Sequence, residues 1–289
     1  MLSGANFRDT IAEMLLIAET RIPKDVTIAL KRTLERERGQ IPKLQLRLML
    51  KNLELAKKFR APICQDTGTF TFFIKIGRNL KLPFDLEKAI TEGVTKATQE
   101  IPLRVNVVDP ISRKPMKTNT GSAQPAVHVE LVGGEEIQVE LLVKGAGTEN
   151  CGRLFMMRPV EGLPAIEQAV IKVLSDSGGR PCPPNIVGVG IGGSMETAPF
   201  LAKRALLRPI NKRNLDPELA KLERKLEQAA NELDVGPMGL GGRTTVLKVL
   251  VEKAACHTAS LPVAVALQCW PARRARAIVS DGVFRVVEP

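Results

Sequence analysis

Three of the five cysteines stand in turn-like settings where a thiolate could bind a metal. Cys64 lies in the run Pro-Ile-Cys-Gln-Asp-Thr-Gly, Cys182 is flanked by prolines, and Cys269 is followed by Trp-Pro. Proline restricts the backbone beside a ligand, and rigid ligands suit a metal cluster. Iron–sulfur clusters bind cysteine thiolates, normally four for a [4Fe–4S] cluster. We therefore interpret the three cysteines as ligands of one cluster, which leaves one iron open to bind a substrate as a Lewis acid.

The other two cysteines fit the ordinary behaviour of a small apolar residue. We expect Cys151 and Cys256 to be buried, although Cys151 follows a glycine-rich turn and stays a further candidate. An odd number of widely spaced cysteines argues against a disulfide framework. The sequence has no Cys-x-x-Cys pair, so it carries neither a zinc-ribbon nor a thioredoxin motif.

The chain has two histidines, and one of them could take part in catalysis. His257 directly precedes an apolar run and could act as a neutral donor or as a general acid near neutral pH. A histidine in this setting is more often simply hydrogen-bonded than catalytic. His128 alternates with apolar residues in a predicted strand, which favours a structural role.

Two glycine-rich runs could bind an anion. Residues 144–150 follow a predicted strand, and their N–H groups could form an anion nest or an ordinary loop. Residues 188–193 contain a Gly-x-Gly-x-x-Gly motif, which can cradle a pyrophosphate at the start of a helix. No second strand ending in an acidic residue follows this motif, so we favour a tight strand-to-helix turn.

These residues must be positioned by helices and strands that the apolar periodicity predicts. Residues 1–60 are predicted to be helical, and 61–289 to form mixed sheets with flanking helices. Gly133-Gly134 predicts a hairpin between two of the strands. Without a repeat or a long linker, the expectation is one mixed α/β (α+β) domain over 1–289. The predicted strands are 70–76, 126–132, 137–143, 185–190, 244–251, 262–267 and 275–279; the later helices are 85–99, 163–174, 195–207 and 217–233.

The composition is that of a globular protein of 289 residues with a formal net charge of +11. Much of this charge alternates in sign along predicted helices, and aromatic residues are few, so nucleic-acid binding is not expected. No apolar stretch approaches the ~20 residues that span a bilayer, so no membrane association is expected. The first residues lack the pattern of a signal peptide, which predicts a cytoplasmic protein.

The motifs around the three cysteines resemble those of one enzyme family along nearly the whole chain. They are similar to the α subunit of two-subunit class I fumarases and of the related L-tartrate dehydratases. The glycine runs and both histidines lie within the matching segments. These segments are 62–69, 103–104 leading to 108–110, 119–121 with 125–128, 144–150, 182–184, 190–193, 257–263 and 268–274.

The resemblance implies the fold of the N-terminal domain of class I fumarases and an oxygen-sensitive [4Fe–4S] cluster. By motif position its ligands are Cys64, Cys182 and Cys269, and neither Cys151 nor Cys256 falls on a ligand position. A small dicarboxylate substrate would meet the residues that match the family's pocket. These are Gln65, Asp66, Arg104, Gly147 and His257, of which Asp66 and His257 are the catalytic candidates.

The resemblance also implies a partner, because part of the family's active site lies on another domain. In two-subunit enzymes that domain is a separate β subunit, so we expect an α2β2 assembly and an α chain that is inactive alone. Hydration of fumarate to (S)-malate is the expected reaction, and dehydration of L(+)-tartrate to oxaloacetate is the alternative. A non-catalytic nucleotide-binding module that uses the motif at 188–193 remains open as a different class.

Overall fold

A computed structural model describes residues 2–287 of the chain, which begin with three helices and end with four strands. Aspartate side chains cap two of the helices: Asp85 accepts from the Lys88 N–H, and Asp216 accepts from the Glu218 and Leu219 N–H groups. The helices are α1 (Gly4–Thr20), α2 (Lys24–Arg36), α3 (Gln40–Phe59), α4 (Leu86–Glu100), α5 (Ala146–Glu149), α6 (Gly162–Ser177), α7 (Thr197–Ala205) and α8 (Pro217–Asn231). The strands are β1 (Thr69–Gly77), β2 (Ala126–Val132), β3 (Ile137–Lys144), β4 (Arg153–Met157), β5 (Asn185–Gly192), β6 (Val246–Ala254), β7 (Leu261–Gln268), β8 (Arg274–Ser280) and β9 (Val283–Val287).

The chain divides into two compact units, each built around one sheet. The first unit comprises the residues up to Pro23, Asn52–Gly145, and the chain from Arg273 onward. Its sheet has the order β2-β1-β3-β8-β9, and α1 and α4 share an apolar core with β1, β3 and β8. This mixture of helices with a mixed sheet confirms the predicted fold class.

The second unit comprises Lys24–Lys51 and Ala146–Ala272. Its sheet has the order β4-β7-β5-β6, in which β5 and β6 are parallel while β7 runs antiparallel to both of its neighbours. Helices α6 and α8 share an apolar core with this sheet. In the described residues, no helix is both long and apolar enough to cross a membrane.

The predicted hairpin at Gly133-Gly134 is wrong. Strands β2 and β3 do not pair with each other but flank β1, with β2 parallel and β3 antiparallel to it. The connection between them crosses the end of β1 at Gly77, where a Cβ would lie 2.3 Å from the Gly134 oxygen. Strand β1, nearly continuously apolar from Phe70 to Ile76, takes the interior place between β2 and β3 because it can be buried on both faces.

Glycines in β5 bring α7 close to the sheet. A Cβ on Gly188 would lie 2.0 Å from the Ala202 oxygen, and one on Gly190 would lie 2.1 Å from the Ala198 oxygen. No side chain fits at either position, so helix–strand packing accounts for two of the three glycines in the Gly-x-Gly-x-x-Gly motif. This finding supports our interpretation of the motif as a tight strand-to-helix turn.

Candidate functional site

The main chain that leads into Cys64 is fixed from two sides within the first unit. The Ile63 N–H donates to the Glu19 oxygen at 2.8 Å, and the Asn52 side chain donates to the Ile63 oxygen at 2.9 Å. These bonds hold the residue before Cys64 between α1 and α3. The Cys64 thiol is half-buried and belongs to no disulfide. It can therefore serve as a ligand on a rigid segment.

Asp66 has its carboxylate oriented by main-chain and side-chain donors. Its Oδ1 accepts from the Gly68 N–H at 2.9 Å and from Asn106 Nδ2 at 3.4 Å. Gly68 has a φ of +72°, a left-handed conformation that favours glycine. Asp66 Oδ2 lies 2.8 Å from the position that a Cβ on Gly145 would take. The absent side chain at Gly145 therefore leaves room for the carboxylate.

Arg104 is joined to the Cys64 loop through Thr67. The Thr67 hydroxyl donates to the Arg104 oxygen at 3.2 Å, and the Arg104 N–H lies 3.1 Å from the same hydroxyl. Asn119 also donates to the Arg104 oxygen, at 3.1 Å. The side chains of Arg104 and Gln65 are exposed. The first unit therefore places the main chain of Arg104 against Thr67, three residues after Cys64 in the loop that also carries Gln65 and Asp66.

A buried ion pair lies next to this loop. Arg273 Nη1 lies 2.8 Å from Glu19 Oε2, and the two side chains are 1% and 0% exposed. Burial raises the pKa of Glu19 to about 7, the attraction of Arg273 opposes the rise, and the Asp66 charge adds to it. Arg273 Nη2 also lies 3.5 Å from the Cβ position of Gly145, beside Asp66 Oδ2. The sequence had not singled out Glu19, because its helical setting carries no chemical signature.

In the second unit, two loops carry Cys182 and Cys269 side by side. The Trp270 N–H donates to the Cys182 oxygen at 3.2 Å. Asn185, the first residue of β5, donates from its buried amide to Pro181 at 2.8 Å and to Gln268 at 3.2 Å. This asparagine holds both loops together, and nothing in the sequence but its place before an apolar run pointed to it.

Cys182 itself adopts an unusual backbone conformation. Its φ is +51°, which residues other than glycine rarely adopt. The turn is closed by the Cys182 N–H, which donates to the Gly179 oxygen at 3.0 Å. Residues held in such conformations concentrate at functional sites. Both Cys182 and Cys269 are half-buried and free of disulfides, which suits thiols that bind a group from outside.

Gly147 and His257 lie elsewhere in the second unit. Gly147 is exposed on the single turn of α5, where a Cβ would lie 2.7 Å from the oxygen of Arg180, close to the Cys182 turn. His257 is exposed in the connection between β6 and β7. Its Nδ1 accepts from the Ala259 N–H at 3.1 Å, so in the neutral ring the proton is on Nε2. That N–H can donate to a ligand.

The two remaining cysteines behave differently from each other. Cys151 is buried in the apolar core of the second unit, which confirms its expected role as a small apolar residue. Cys256 was expected to be buried as well, but it is exposed. The correction has a simple cause: β6 ends at Ala254, and Cys256 lies in the turn beyond the sheet.

The donor chemistry of Cys64, Cys182 and Cys269 fits an iron–sulfur cluster. All three are half-buried, form no disulfide and lie on short loops, unlike the buried Cys151 and the exposed Cys256. Within residues 2–287, no three His, Cys, Asp or Glu side chains are placed to hold a single metal ion. A cluster makes a different demand, because each thiolate binds its own iron rather than one shared centre. Cys64 belongs to the first unit and the other two to the second.

Comparison with known proteins gives a consistent assignment. The family model "Fumarate hydratase (Fumerase)" matches residues 8–278. A putative L(+)-tartrate dehydratase subunit alpha of Methanocaldococcus jannaschii is 42% identical over 271 residues, which is 92% of this chain and 95% of the relative. The L(+)-tartrate dehydratase subunit alpha of Escherichia coli K12 is 35% identical over 272 residues, or 94% and 90% of the two chains. The chain therefore belongs to the fumarate hydratase (Fumerase) family.

Proposed function

We propose that this chain is the α subunit of a [4Fe–4S]-dependent hydro-lyase that acts on a small 2-hydroxy dicarboxylate. The observation that carries the proposal is the fixed loop of the first unit, where a half-buried thiol and an oriented carboxylate lie close to the main chain of Arg104, whose side chain is exposed. The first candidate reaction is the reversible hydration of fumarate to (S)-malate. The second is the dehydration of L(+)-tartrate to oxaloacetate, which the names of the similar α subunits favour.

The thiolates of Cys64, Cys182 and Cys269 would hold the cluster. When bound, the cluster supplies a Lewis-acidic iron that makes the substrate hydroxyl a better leaving group. The protein contributes rigidity: Cys64 follows a segment hydrogen-bonded to α1, and Cys182 is hydrogen-bonded to the loop of Cys269.

The remaining residues bind and orient the substrate. The Arg104 guanidinium can bind a carboxylate in bidentate fashion, and the adjacent Gln65 amide can hydrogen-bond to the same molecule. The main-chain N–H of Gly147 and the Nε2–H of His257 can donate to oxygens on which negative charge develops. Asp66, fixed by its two donors, orients the substrate or the group that moves the C3 proton.

A separate β subunit completes the active site in this proposal. The similar proteins carry the name subunit alpha, and elimination of water needs a base for the C3 proton as well as help for the leaving hydroxyl. We propose an α2β2 assembly in the cytoplasm. The basic excess of the chain fits an anionic substrate, but much of it lies on helix faces.

The decisive experiment compares three substrates under anaerobic conditions. The cluster-loaded chain is assayed alone and with its β subunit, using (S)-malate, fumarate and L(+)-tartrate side by side. Turnover of at least one substrate is expected only with both chains. Turnover by the α chain alone would contradict the need for a partner, and no turnover of any substrate by the complex would contradict the hydro-lyase assignment.

The nucleotide-binding alternative predicts that the chain binds a nucleotide, which the hydro-lyase proposal does not. It requires ATP or NAD to bind at the motif of 188–193, whereas the structure gives Gly188 and Gly190 a packing role against α7. Isothermal titration of the chain with each nucleotide is expected to show no binding. Micromolar binding of either nucleotide, abolished by substitutions at Gly193, would favour the alternative.

A further inference from the structure

Strand β2 forms one edge of the five-stranded sheet. It pairs with β1 over seven consecutive residue pairs, from Thr71 with Ala126 to Gly77 with Val132, and no bulge interrupts this register. Proteins usually protect such an edge with a bulge, a proline or a lysine. The strand, Ala-Val-His-Val-Glu-Leu-Val, contains none of these, and Glu130 is its single carboxylate. It is therefore a regular edge with little protection against pairing.

Two large apolar side chains of β2 are uncovered. Val129 is 52% exposed and Leu131 is 67% exposed. The register places them beside Ile74 and Ile76, which are buried in the core of the first unit. Residues paired across strands point to the same face of a sheet. The apolar layer thus continues past β1 onto β2, where the helices no longer cover it.

The open edge presents the main-chain groups of the same residues. The Val132 oxygen accepts from the Arg78 N–H at 2.8 Å, so this residue bonds toward β1. Successive residues of a strand direct their N–H and C=O groups to opposite edges. The main-chain groups of Val127, Val129 and Leu131 therefore point outward, where another strand can bond to them.

We propose that β2 pairs antiparallel with β2 of a second copy of this chain, about a two-fold axis at Val129. Such an interface is isologous, so each residue must suit its counterpart. In this register Val129 faces its own copy, and Val127 faces Leu131 of the other chain. These side chains extend the apolar layer across the junction.

The opposite face of the strand is equally self-complementary. The same axis places His128 against Glu130 of the other copy, and Glu130 against its His128. A ring N–H can donate to the carboxylate, and opposite charges across strands are stabilising. His128 already stacks on Phe73 with centroids 5.1 Å apart, and Glu130 lies 4.0 Å from Lys75 Nζ. These contacts hold both side chains on the face of the sheet where they would pair with the other copy.

The other edge of the sheet does not share this property. Strand β9 has the sequence Val-Phe-Arg-Val-Val, with Arg285 at its centre. Antiparallel pairing of two copies about that centre would bring the two guanidinium groups together, which is unfavourable. The self-complementary pattern therefore belongs to β2, and β9 provides an internal control. The inference names a contact between the two α chains of the proposed α2β2 assembly, and it does not depend on the proposed reaction.

The first test measures the mass of the full chain by sedimentation equilibrium over a range of concentrations. We expect twice the chain mass of 31.5 kDa. Val129→Lys puts two lysines together at the axis and is expected to weaken dimerisation roughly 100-fold. Val283→Lys, the matched change on β9, is expected to leave the mass unchanged. A monomeric parent chain, or a dimer that Val129→Lys leaves intact, would overturn the proposal.

A second test keeps the strand apolar and exchanges charges instead. His128→Glu alone places a glutamate against Glu130 of the other copy. Glu130→Lys alone places a lysine against His128 of the other copy. Each homodimer is therefore expected to weaken. A mixture of the two variants restores one attractive pair and keeps one native pair. Dimers should therefore reappear on mixing, with circular dichroism confirming that both variants fold. Equal dimerisation of the single variants and the mixture would exclude this register.

Discussion

Asp66 depends for its orientation on residues that lie far from it in the chain. Its donors are the nearby Gly68 and the distant Asn106, and its outer oxygen lies against Gly145. The sequence could indicate Asp66 because it is two residues from Cys64. It could not indicate Asn106, and it indicated Gly145 only as part of the glycine-rich run 144–150, because the contacts of both with Asp66 arise only when β1, β3 and the loop after α4 come together.

Gly145→Ala tests whether this packing positions the carboxylate. The new Cβ would lie 2.8 Å from Asp66 Oδ2, so the carboxylate must move. This movement of the Asp66 carboxylate is expected to lower kcat of the complex with its β subunit about 10- to 100-fold, since small misplacements of catalytic groups cost that much. Gly133→Ala is the control, because its Cβ would meet nothing within 4 Å. Unchanged kcat in Gly145→Ala would contradict a functional role for the orientation of Asp66.

The pair of Glu19 and Arg273 gives stability a pH dependence. Burial raises the pKa of Glu19 from 4.5 to about 7, so the folded chain holds a proton that the unfolded chain releases. The stability that the protonated Glu19 carboxyl gives the folded chain is therefore fully present below about pH 4.5, and it is lost as the pH rises through 7. We expect the free energy of unfolding to fall by up to about 3 kcal/mol across this window.

Glu19→Gln removes the titrating carboxyl group. The variant should therefore lack the part of the decrease in unfolding free energy that the titration of Glu19 causes. Urea unfolding of both chains at roughly pH 5 and pH 8 measures the difference. The parent should lose more stability than the variant between the two values. Parallel pH dependences would show that Glu19 does not titrate in this range.

At the scale of the elements, the positions of most helices and strands follow from apolar periodicity, and their partners do not. The strand predicted at 70–76 is confirmed as β1, but its neighbours were misjudged because two glycines between two apolar runs usually indicate a hairpin. The short strands β4 and β9 were not predicted at all. Both lie at sheet edges, where alternating exposure weakens the apolar signal.

Gly190→Ala tests the packing of α7 on β5. Its Cβ would lie 2.1 Å from the Ala198 oxygen, so helix and strand must separate. We expect a loss of about 3 kcal/mol or more in the free energy of unfolding, at the upper end for an overpacked core. Gly133→Ala again serves as the control in the same urea titration. A loss below about 0.5 kcal/mol in Gly190→Ala would show that the spacing is not required.

At the scale of the whole molecule, the ligand candidates are divided between the two compact units. Cys64 stands in the first unit, while Cys182 and Cys269 stand in the second, and the chain enters the first unit in three separate stretches. The sequence indicated all three thiols through their unusual neighbours. It could not show that a buried asparagine, Asn185, joins the two loops of the second unit.

The iron content of cysteine variants tests most directly whether these three thiols bind one cluster. After anaerobic reconstitution with iron and sulfide, the parent should hold about four irons and absorb broadly near ~400 nm. Cys64→Ser, Cys182→Ser and Cys269→Ser should each lose most of this iron, whereas the exposed Cys256→Ser should retain it. Full iron content in any of the first three variants, or an equal loss in Cys256→Ser, would contradict the account.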